Sequence, residues 1–288
     1  MLTGKFHGFD VEVHDPGIAV ITGNQPERLN GHTPRVKRDL IEILAHAQMD
    51  NKIRVIVFTG SGRSFCAGDD ITGVGRNYGD AQDIVAELQP ANSSGGRQPI
   101  NTYEFLRVFS QPLNLAIRNL DKLCIAAING VAIQTGLSLA LACDFRIAST
   151  EARMGSATLR FGYQPDEGGQ YLLIQIIGVA KTMDFLMRNR IVSAQEALEL
   201  GLVHEVVKPE ELMDRTMELA RELADGPQVA MRFLKKTIYN AADMTFHQAL
   251  DDIASKTAVS DHHSDAEEGV KAWREKRAAH FNQWIEQQ

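Results

Sequence analysis

The sequence predicts an α/β fold with a layered, partly parallel core and a helical C-terminal region. The first observation is that apolar residues recur at helical spacing over 34–47, shortly before a mostly apolar, β-rich run at 53–60. The second is a pair of apolar, β-rich runs, 123–128 and 143–148, on either side of a short helical segment. The third is that no strand pattern follows Val207. Helices alternating with buried strands are typical of a parallel sheet.

The first and last elements complete this prediction. Alternating runs at 10–13 and 18–22 flank Asp15-Pro16-Gly17, which is turn chemistry, so we expect an N-terminal hairpin. At the other end, Pro209-Glu210-Glu211 is typical of a helix start. We therefore divide the chain into an α/β core, residues 1–208, and a helical C-terminal region, residues 209–288.

One long segment between these elements has loop composition. Residues 73–101 are rich in Gly, Asn, Asp and Ser and contain two prolines. We expect this segment to form a mobile flap beside the functional site.

Composition excludes several classes of protein. Of the 288 residues, 44% are hydrophobic and 23% are charged, as in a globular protein. The three cysteines have no CxxC spacing, which argues against a disulfide framework and against a metal site of the zinc-knuckle type. The net charge of -7 opposes nonspecific binding to nucleic acid or an anionic membrane.

The chain has no long apolar run. None approaches the roughly 18 consecutive apolar residues of a membrane span, and the first ten residues are interrupted by Lys5, His7 and Asp10. We expect a cytoplasmic protein without a secretory signal.

Two segments carry the chemistry. Residues 61–71 follow a buried strand, so their backbone N–H groups can lie free at the strand end. Residues 126–137 run from a strand into a helix, whose first N–H groups are unpaired and carry partial positive charge. Two such donors can converge on one oxygen.

Five motifs in register give this sequence a family resemblance. They are Glu27-Arg28-Leu29-Asn30, Phe65 to Ile71, Asn129 to Leu139, Cys143 to Ala148, and Ser193 to Val203. In order and spacing the chain resembles the crotonase superfamily, the enoyl-CoA hydratases and isomerases. The resemblance implies a spiral ββα core and a helical C-terminal trimerisation region, hence a homotrimer or a dimer of trimers. It also implies an acyl-CoA substrate and no separate cofactor, because CoA is part of the substrate.

The resemblance also implies site residues. In the family, two backbone N–H groups form an oxyanion hole, and the matching residues here are Asp69 and Thr135. A CoA and substrate pocket is implied for Arg28, Leu29, Ala67, Gly68, Asp70, Ile71, Gly136, Ser138 and Thr158. The usual glycine triplet reads Gln134-Thr135-Gly136 in this chain, so the β-branched Thr135 is expected to affect the geometry of the second donor.

Acid–base residues decide the reaction. Hydratases of the family use two glutamates, and the matching positions here are Ser138 and Thr158, neither of which is a carboxylate base. Asp166 matches the carboxylate that acts in the isomerase and dehalogenase branches, so we expect it to be the catalytic group. Glu167 is expected to point elsewhere and to have at most a supporting role.

Alternatives stay open at this point. The leading hypothesis is an enoyl-CoA isomerase that shifts a double bond. The others are an enoyl-CoA hydratase that uses Asp166, an acyl-CoA hydrolase or dehalogenase-like enzyme, and a non-catalytic acyl-CoA-binding homologue. Asp166 has a purely structural alternative as the cap of a helix near Gly168, and Asp70 is expected to hold its own loop.

Overall fold

Eleven strands form two sheets in the computed structural model, which describes residues 1–70 and 99–286. In chain order they are β1 (Gly4–Lys5), β2 (Phe9–His14), β3 (Ile18–Gly23), β4 (Val55–Gly60), β5 (Ser64–Cys66), β6 (Leu123–Ile128), β7 (Val131–Ile133), β8 (Phe145–Ser149), β9 (Arg153–Gly155), β10 (Ile191–Ser193) and β11 (Glu205–Val207). The larger sheet has the order β1-β2-β3-β4-β6-β8-β11, and the smaller one has the order β10-β9-β7-β5.

The larger sheet combines a hairpin with a parallel array. β2 pairs antiparallel with β3, which confirms the predicted N-terminal hairpin. β3, β4, β6, β8 and β11 then pair in parallel. The central strands are almost completely buried, as is usual when helices cover both faces of a parallel sheet.

The smaller sheet explains the spiral character of the core. Each of the buried strands β4, β6 and β8 is followed within a few residues by a three-residue strand of the second sheet, namely β5, β7 and β9. The chain thus alternates between the two sheets and then returns through a helix. This arrangement is the predicted ββα core.

Helices cover the sheets and make up the C-terminal region. They are α1 (Pro34–Met49), α2 (Pro99–Phe105), α3 (Gln111–Asn119), α4 (Thr135–Ala142), α5 (Gly169–Met187, interrupted at Gly178), α6 (Ala194–Leu200), α7 (Leu212–Asp225), α8 (Gln228–Ala241), α9 (Phe246–Ser260), α10 (Ser264–Glu275) and α11 (Gln283–Glu286). The predicted helix at 34–47 is α1, which begins with the side chain of Thr33 accepting a hydrogen bond from the Val36 N–H.

The hydrophobic core lies on both faces of the larger sheet. One face packs against α1, α3 and α4, and the other is covered by α7 through Leu212, Ala220 and Ala224. The first helix after the predicted boundary at residue 208 is therefore part of the packed sheet layer. The boundary itself stays a prediction.

The predicted flap spans residues 73–101, of which 73–98 lie outside the described residues, and its last three residues begin α2. Among the helices that the structure does describe, none combines the length and the apolar character needed to cross a bilayer.

Candidate active site

A glycine brings the two predicted N–H segments together. A Cβ atom at Gly136, near the start of α4, would lie 2.0 Å from the carbonyl oxygen of Cys66 at the end of β5. No side chain fits in this gap, so only glycine allows the strand end to touch the helix start. Gly136 stands at the third position of the family's glycine triplet, and a larger residue there would collide with the strand end.

The backbone N–H group of Asp69 points away from His32, the residue with which Asp69 pairs. His32 and Asp69 form a parallel bridge, in which the His32 N–H donates to the Gly68 oxygen and the Asp70 N–H donates to the His32 oxygen, both over 3.0 Å. In such a bridge the middle residue's own N–H faces the opposite side. Gly68 has φ +114°, which a residue with a side chain rarely adopts.

The N–H group of Thr135 is free because of its place in α4. Thr135 is the first residue of that helix, and the first N–H groups of a helix have no intrahelical acceptor. Within residues 1–70 and 99–286, neither Thr135 nor Asp69 donates its N–H to another backbone group. Both proposed oxyanion-hole donors are therefore available, and their role stays a prediction.

A buried polar cluster lies next to these donors, and we call Lys37, Asp69, Thr135 and Glu167 the Lys37 cluster. Lys37 Nζ is 2.7 Å from Asp69 Oδ1 and 3.3 Å from Glu167 Oε1. The Thr135 hydroxyl is 2.7 Å from Asp69 Oδ1 and also within hydrogen-bonding distance of Glu167 Oε1. The Lys37 and Glu167 side chains are 3% and 1% exposed, whereas that of Asp69 is 44% exposed.

The expectation that Glu167 points elsewhere is wrong. Its carboxyl group turns into the Lys37 cluster, and the Asn114 side-chain amide on α3 holds its backbone carbonyl over 3.0 Å. A buried carboxyl group needs partners, and Lys37 and Thr135 supply them. The sequence-based expectation took no account of Lys37.

Burial and charge set the protonation states of the cluster. Burial raises the pKa of Glu167 to about 7, against the attraction of Lys37. Burial also works against a charged Asp69, but the Lys37 ammonium and hydrogen bonds from Lys37 and Thr135 hold the pKa of Asp69 below its ordinary value. Burial alone would lower the pKa of Lys37, yet the two carboxylates raise it.

Asp166 lies beside the cluster and is only partly buried. Its backbone carbonyl accepts a hydrogen bond of 3.2 Å from the Gln111 side chain on α3. Burial, followed by the negative charge of Asp69, raises the pKa of its carboxyl group. The capping alternative is wrong for α5, because the N-cap residue is Gly168 and no side chain caps that end.

The segments implied for CoA binding are held together by backbone and side-chain bonds. The Ala67 N–H donates to the Leu29 oxygen over 3.0 Å, and Arg28 Nη1 lies 3.0 Å from Asp70 Oδ2. Asp70 thus ties its loop to the Arg28 segment. Ile71 lies outside the described residues.

Ser138 and Thr158, at the positions of the hydratase glutamates, lie in the same region. Ser138 is buried, and its hydroxyl would lie 2.6 Å from a Cβ atom at Gly169, so the start of α5 packs directly on α4. Thr158 Oγ1 is 3.2 Å from Ser156 Oγ, which donates to Gln134 Oε1 over 2.9 Å. Gln134 Nε2 in turn donates to Glu167 Oε2 over 3.4 Å.

Lys37 is the residue that the sequence analysis missed. It lies on the same face of α1 as Leu40 and Leu44, both of which are buried. A lysine on the apolar face of an amphipathic helix requires a buried acidic partner, because lysine is almost never fully buried unless paired. The position of Lys37 on the apolar face of α1 could therefore have indicated a buried ion pair, but it does not reveal which carboxylates pair with Lys37.

The site's chemistry is that of hydrogen-bond donors and carboxyl groups. In the two described stretches, no group of three or more His, Cys, Asp or Glu side chains is arranged to hold a metal ion. Asp69 and Thr135 offer two N–H donors, and Asp166 offers a carboxyl group whose pKa burial moves toward neutrality. Such a site can stabilise a developing oxyanion and move a proton.

Known proteins resemble this chain over nearly its whole length. The family model for enoyl-CoA hydratase/isomerase matches residues 14–284. A 1,2-epoxyphenylacetyl-CoA isomerase from Escherichia coli is 33% identical over 93% of this chain and 95% of its own. An (E)-benzylidenesuccinyl-CoA hydratase from Thauera aromatica is 33% identical over 92% of this chain and 95% of its own.

Solved structures agree with this assignment. A putative enoyl-CoA hydratase from Streptomyces coelicolor superposes with a TM-score of 0.84 at 30% identity, over 98% of this chain and 96% of the other. An enoyl-CoA hydratase from Bacillus anthracis gives a TM-score of 0.83 at 29% identity, over 95% and 98%. The chain has the crotonase fold and belongs to the enoyl-CoA hydratase/isomerase family of enzymes.

Proposed function

We propose that this enzyme is an acyl-CoA isomerase that moves a carbon–carbon double bond, with Asp166 as the acid/base. The observation that carries the proposal is the placement of the carboxyl groups. By the family resemblance, Ser138 and Thr158 match the positions of a hydratase's water-holding glutamates. Asp166, in contrast, is a partly exposed carboxyl group close enough to Asp69 for the charge of that residue to raise its pKa. One carboxylate that takes and returns a proton is sufficient for an allylic shift.

The proposed reaction begins with a 3-enoyl thioester whose carbonyl oxygen accepts hydrogen bonds from the N–H groups of Asp69 and Thr135. The Asp166 carboxylate removes a proton from C2, and the electron pair moves onto the thioester oxygen to give a dienolate. The protonated Asp166 then returns the proton at C4, and the double bond becomes conjugated with the thioester. Atoms balance without water, metal or a separate cofactor.

The N–H donors are the main source of rate enhancement in this scheme. Preorganised donors aimed at a developing oxyanion, away from bulk water, are worth about 2.7–4 kcal/mol each in a well-studied enzyme. Both donors belong to the backbone, so the unusual side chains of Asp69 and Thr135 do not prevent this role. The partial positive charge at the start of α4 adds to it.

A hydratase is the second candidate. Asp69 keeps 44% of its side chain exposed and lies close enough to Asp166 to raise the pKa of that residue. Two neighbouring carboxylates can hold and deprotonate a water molecule. The similarity to the Thauera aromatica hydratase is compatible with this reaction.

The test supplies 3-enoyl-CoA and 2-enoyl-CoA separately and follows the conjugated-thioester absorbance together with free thiol. An isomerase converts the first substrate and raises the absorbance, a hydratase consumes the second and lowers it, and a hydrolase releases thiol. Asp166→Asn should lower kcat by about a hundredfold or more while CoA binding persists, because general acid–base catalysis contributes about 10²–10⁴.

The matched control is Asp225→Asn, which neutralises an exposed carboxylate at the end of α7. This variant should keep wild-type rates. Wild-type rates in the Asp166→Asn variant would exclude Asp166 as the acid/base. An absence of turnover across a broad acyl-CoA panel, with CoA still bound, would favour the non-catalytic alternative.

We also propose that the enzyme is a homotrimer or a dimer of trimers. Large apolar side chains are exposed on α5, α8 and α9, including Val179, Met187, Ile238 and Phe246. α8 and α9 pack against each other, and an apolar patch exposed on a single chain is typical of an interaction face. Sedimentation equilibrium should give three or six times the chain mass of 31.8 kDa, and a monomer at micromolar concentration would contradict the proposal.

A further inference from the structure

We propose that Glu167 is a positioning residue that carries a proton in the active enzyme and donates it in a hydrogen bond to Thr135, which in turn donates to Asp69. This chain of hydrogen bonds keeps the Lys37 cluster electrically neutral beside the two N–H donors. The effect on catalysis rests on the proposed function, whereas the protonation of Glu167 does not.

The hydrogen count at Thr135 is the first argument. The Thr135 hydroxyl has one hydrogen but contacts two carboxyl oxygens, Asp69 Oδ1 and Glu167 Oε1. If both carboxyl groups were ionised, one of these oxygen–oxygen contacts would lack a hydrogen. A proton on one carboxyl group satisfies both contacts, because that group donates to Thr135 and Thr135 donates to the other.

Geometry assigns the proton to Glu167. Asp69 makes the closer contact with the Lys37 ammonium, 2.7 Å against 3.3 Å, and keeps nearly half of its side chain exposed. The Glu167 side chain is almost completely buried, which penalises its charged form. Its second oxygen, Oε2, accepts from Gln134 Nε2, which leaves Oε1 to carry the proton toward Thr135. The raised pKa of Glu167, about 7, agrees with this assignment.

Charge balance links this proton to catalysis. With Glu167 neutral, the positive charge of Lys37 and the negative charge of Asp69 cancel. Loss of the proton leaves a net negative charge next to Thr135, whose N–H must hold a developing oxyanion. Like charges a few ångströms apart in a partly dry site repel strongly. The enzyme should therefore lose activity as Glu167 ionises.

The other titratable groups near the cluster differ in their expected behaviour. Lys37 stays charged because its pKa is raised, and the pKa of the buried Cys66 thiol is raised to about 12. Burial, together with Lys37, lowers the pKa of His32 to about 4, so this imidazole is neutral near pH 7. Asp166 has a raised pKa and must lose its proton to act as the base. Its protonation therefore lowers activity on the acidic side of the pH profile, whereas ionisation of Glu167 lowers it on the alkaline side.

The direct test is infrared titration of the intact protein, with Glu167→Gln as the reference variant. The difference spectrum between wild type and variant should contain the carbonyl band of a protonated carboxylic acid below about pH 7, and the band should disappear above it. This result does not depend on any substrate. Glu151→Gln, which changes an exposed glutamate, should leave the band in place. Absence of an acid band from Glu167 at all pH values above about 5 would overturn the proposal.

The kinetic test compares the ratio of kcat/KM at about pH 6 and about pH 8. Wild type and Glu151→Gln should lose about tenfold across this interval, whereas Glu167→Gln, which cannot ionise, should show a ratio near one. An alkaline loss that persists in Glu167→Gln would overturn the link to catalysis. If no substrate turns over while the acid band is present, the proposed function fails and the protonation of Glu167 stands.

A second variant keeps the test decisive if Glu167→Gln does not fold. Thr135→Val keeps the shape of the side chain and removes the hydroxyl that accepts the Glu167 proton. The carbonyl band of the acid should then shift in frequency relative to wild type. An unchanged band in a folded Thr135→Val protein would overturn the hydrogen-bonded chain.

Discussion

Lys37 is the side chain on which the charge balance of the site depends. It reaches from α1 into a buried space, where it pairs with Asp69 and contacts Glu167, two residues from separate segments of the sequence. Buried ion pairs of this kind contribute little net stability, but removal of one partner leaves uncompensated charge. Removing one charged member of the Lys37 cluster should therefore cost more stability than the intact cluster contributes.

Lys37→Met tests this dependence. The substitution keeps a long side chain but leaves the Asp69 carboxylate without its cation, so the free energy of unfolding at neutral pH should fall. The loss should be smaller than the roughly 3–5 kcal/mol of a fully buried pair, because the Asp69 side chain is 44% exposed to solvent. Chemical denaturation measures the loss. The triple variant Lys37→Met/Asp69→Asn/Glu167→Gln removes the charges together and should recover most of it, and an equal loss in both proteins would show that charge is not the cause.

At the scale of elements, the contact between β5 and α4 forms the site, and Gly136 makes that contact possible. Gly136→Ala would place a Cβ atom 2.0 Å from the Cys66 oxygen, so the backbone must move. We expect the free energy of unfolding to fall by about 3 kcal/mol, which is at the upper end for overpacking. We also expect kcat/KM to fall about a hundredfold, because a displacement of about 1 Å of the N–H donors lowers the rate by about that factor.

The matched control for this prediction is Gly269→Ala. Gly269 lies in α10, and an added Cβ would meet only Phe281 at an ordinary 3.5 Å. Alanine also has the better helix propensity. This variant should keep full activity and stability. A Gly136→Ala protein that matches it in both measurements would contradict the account of the strand–helix contact.

The elements differ in how far the sequence predicts them. The helix at 34–49 follows from its apolar periodicity and the strands at 55–60 and 123–128 from their apolar runs, so the sequence predicts all three to within a few residues. Local patterns do not reveal the smaller sheet, because its three-residue strands are too short to show alternation; only the family resemblance implies the ββα core to which it belongs. The contact of Lys37 with Glu167 spans 130 positions, and no local pattern encodes such a pairing.

At the scale of the whole molecule, the Lys37 cluster should affect stability as a function of pH. Folding raises the pKa of Glu167 from 4.5 to about 7. The folded state therefore holds this proton more tightly than the unfolded state, and the resulting stabilisation is complete below pH 4.5 and lost as pH rises through about 7. The lowered pKa of Asp69 acts in the opposite sense. It stabilises the folded protein above pH 3.8, the ordinary pKa of the group, and this stabilisation is lost as the pH falls further.

Glu167→Gln should remove the first of these effects. Between pH 4.5 and about 7 the free energy of unfolding of the variant, relative to wild type, should rise steadily. Denaturation curves for both proteins across this range give the difference at each pH. A difference that stays constant over the whole interval would mean that Glu167 has the same pKa in the folded and unfolded chains.

The oxyanion hole is the central claim for this molecule, and a structure of the enzyme with a non-reactive acyl-CoA analogue tests it most directly. The measurement is the distance from the thioester oxygen, or its isostere, to the backbone nitrogens of Asp69 and Thr135. We predict that both distances fall at about 2.7–3.1 Å, with the Asp166 carboxyl group facing C2 of the acyl chain. An oxygen bound away from either nitrogen would contradict the account.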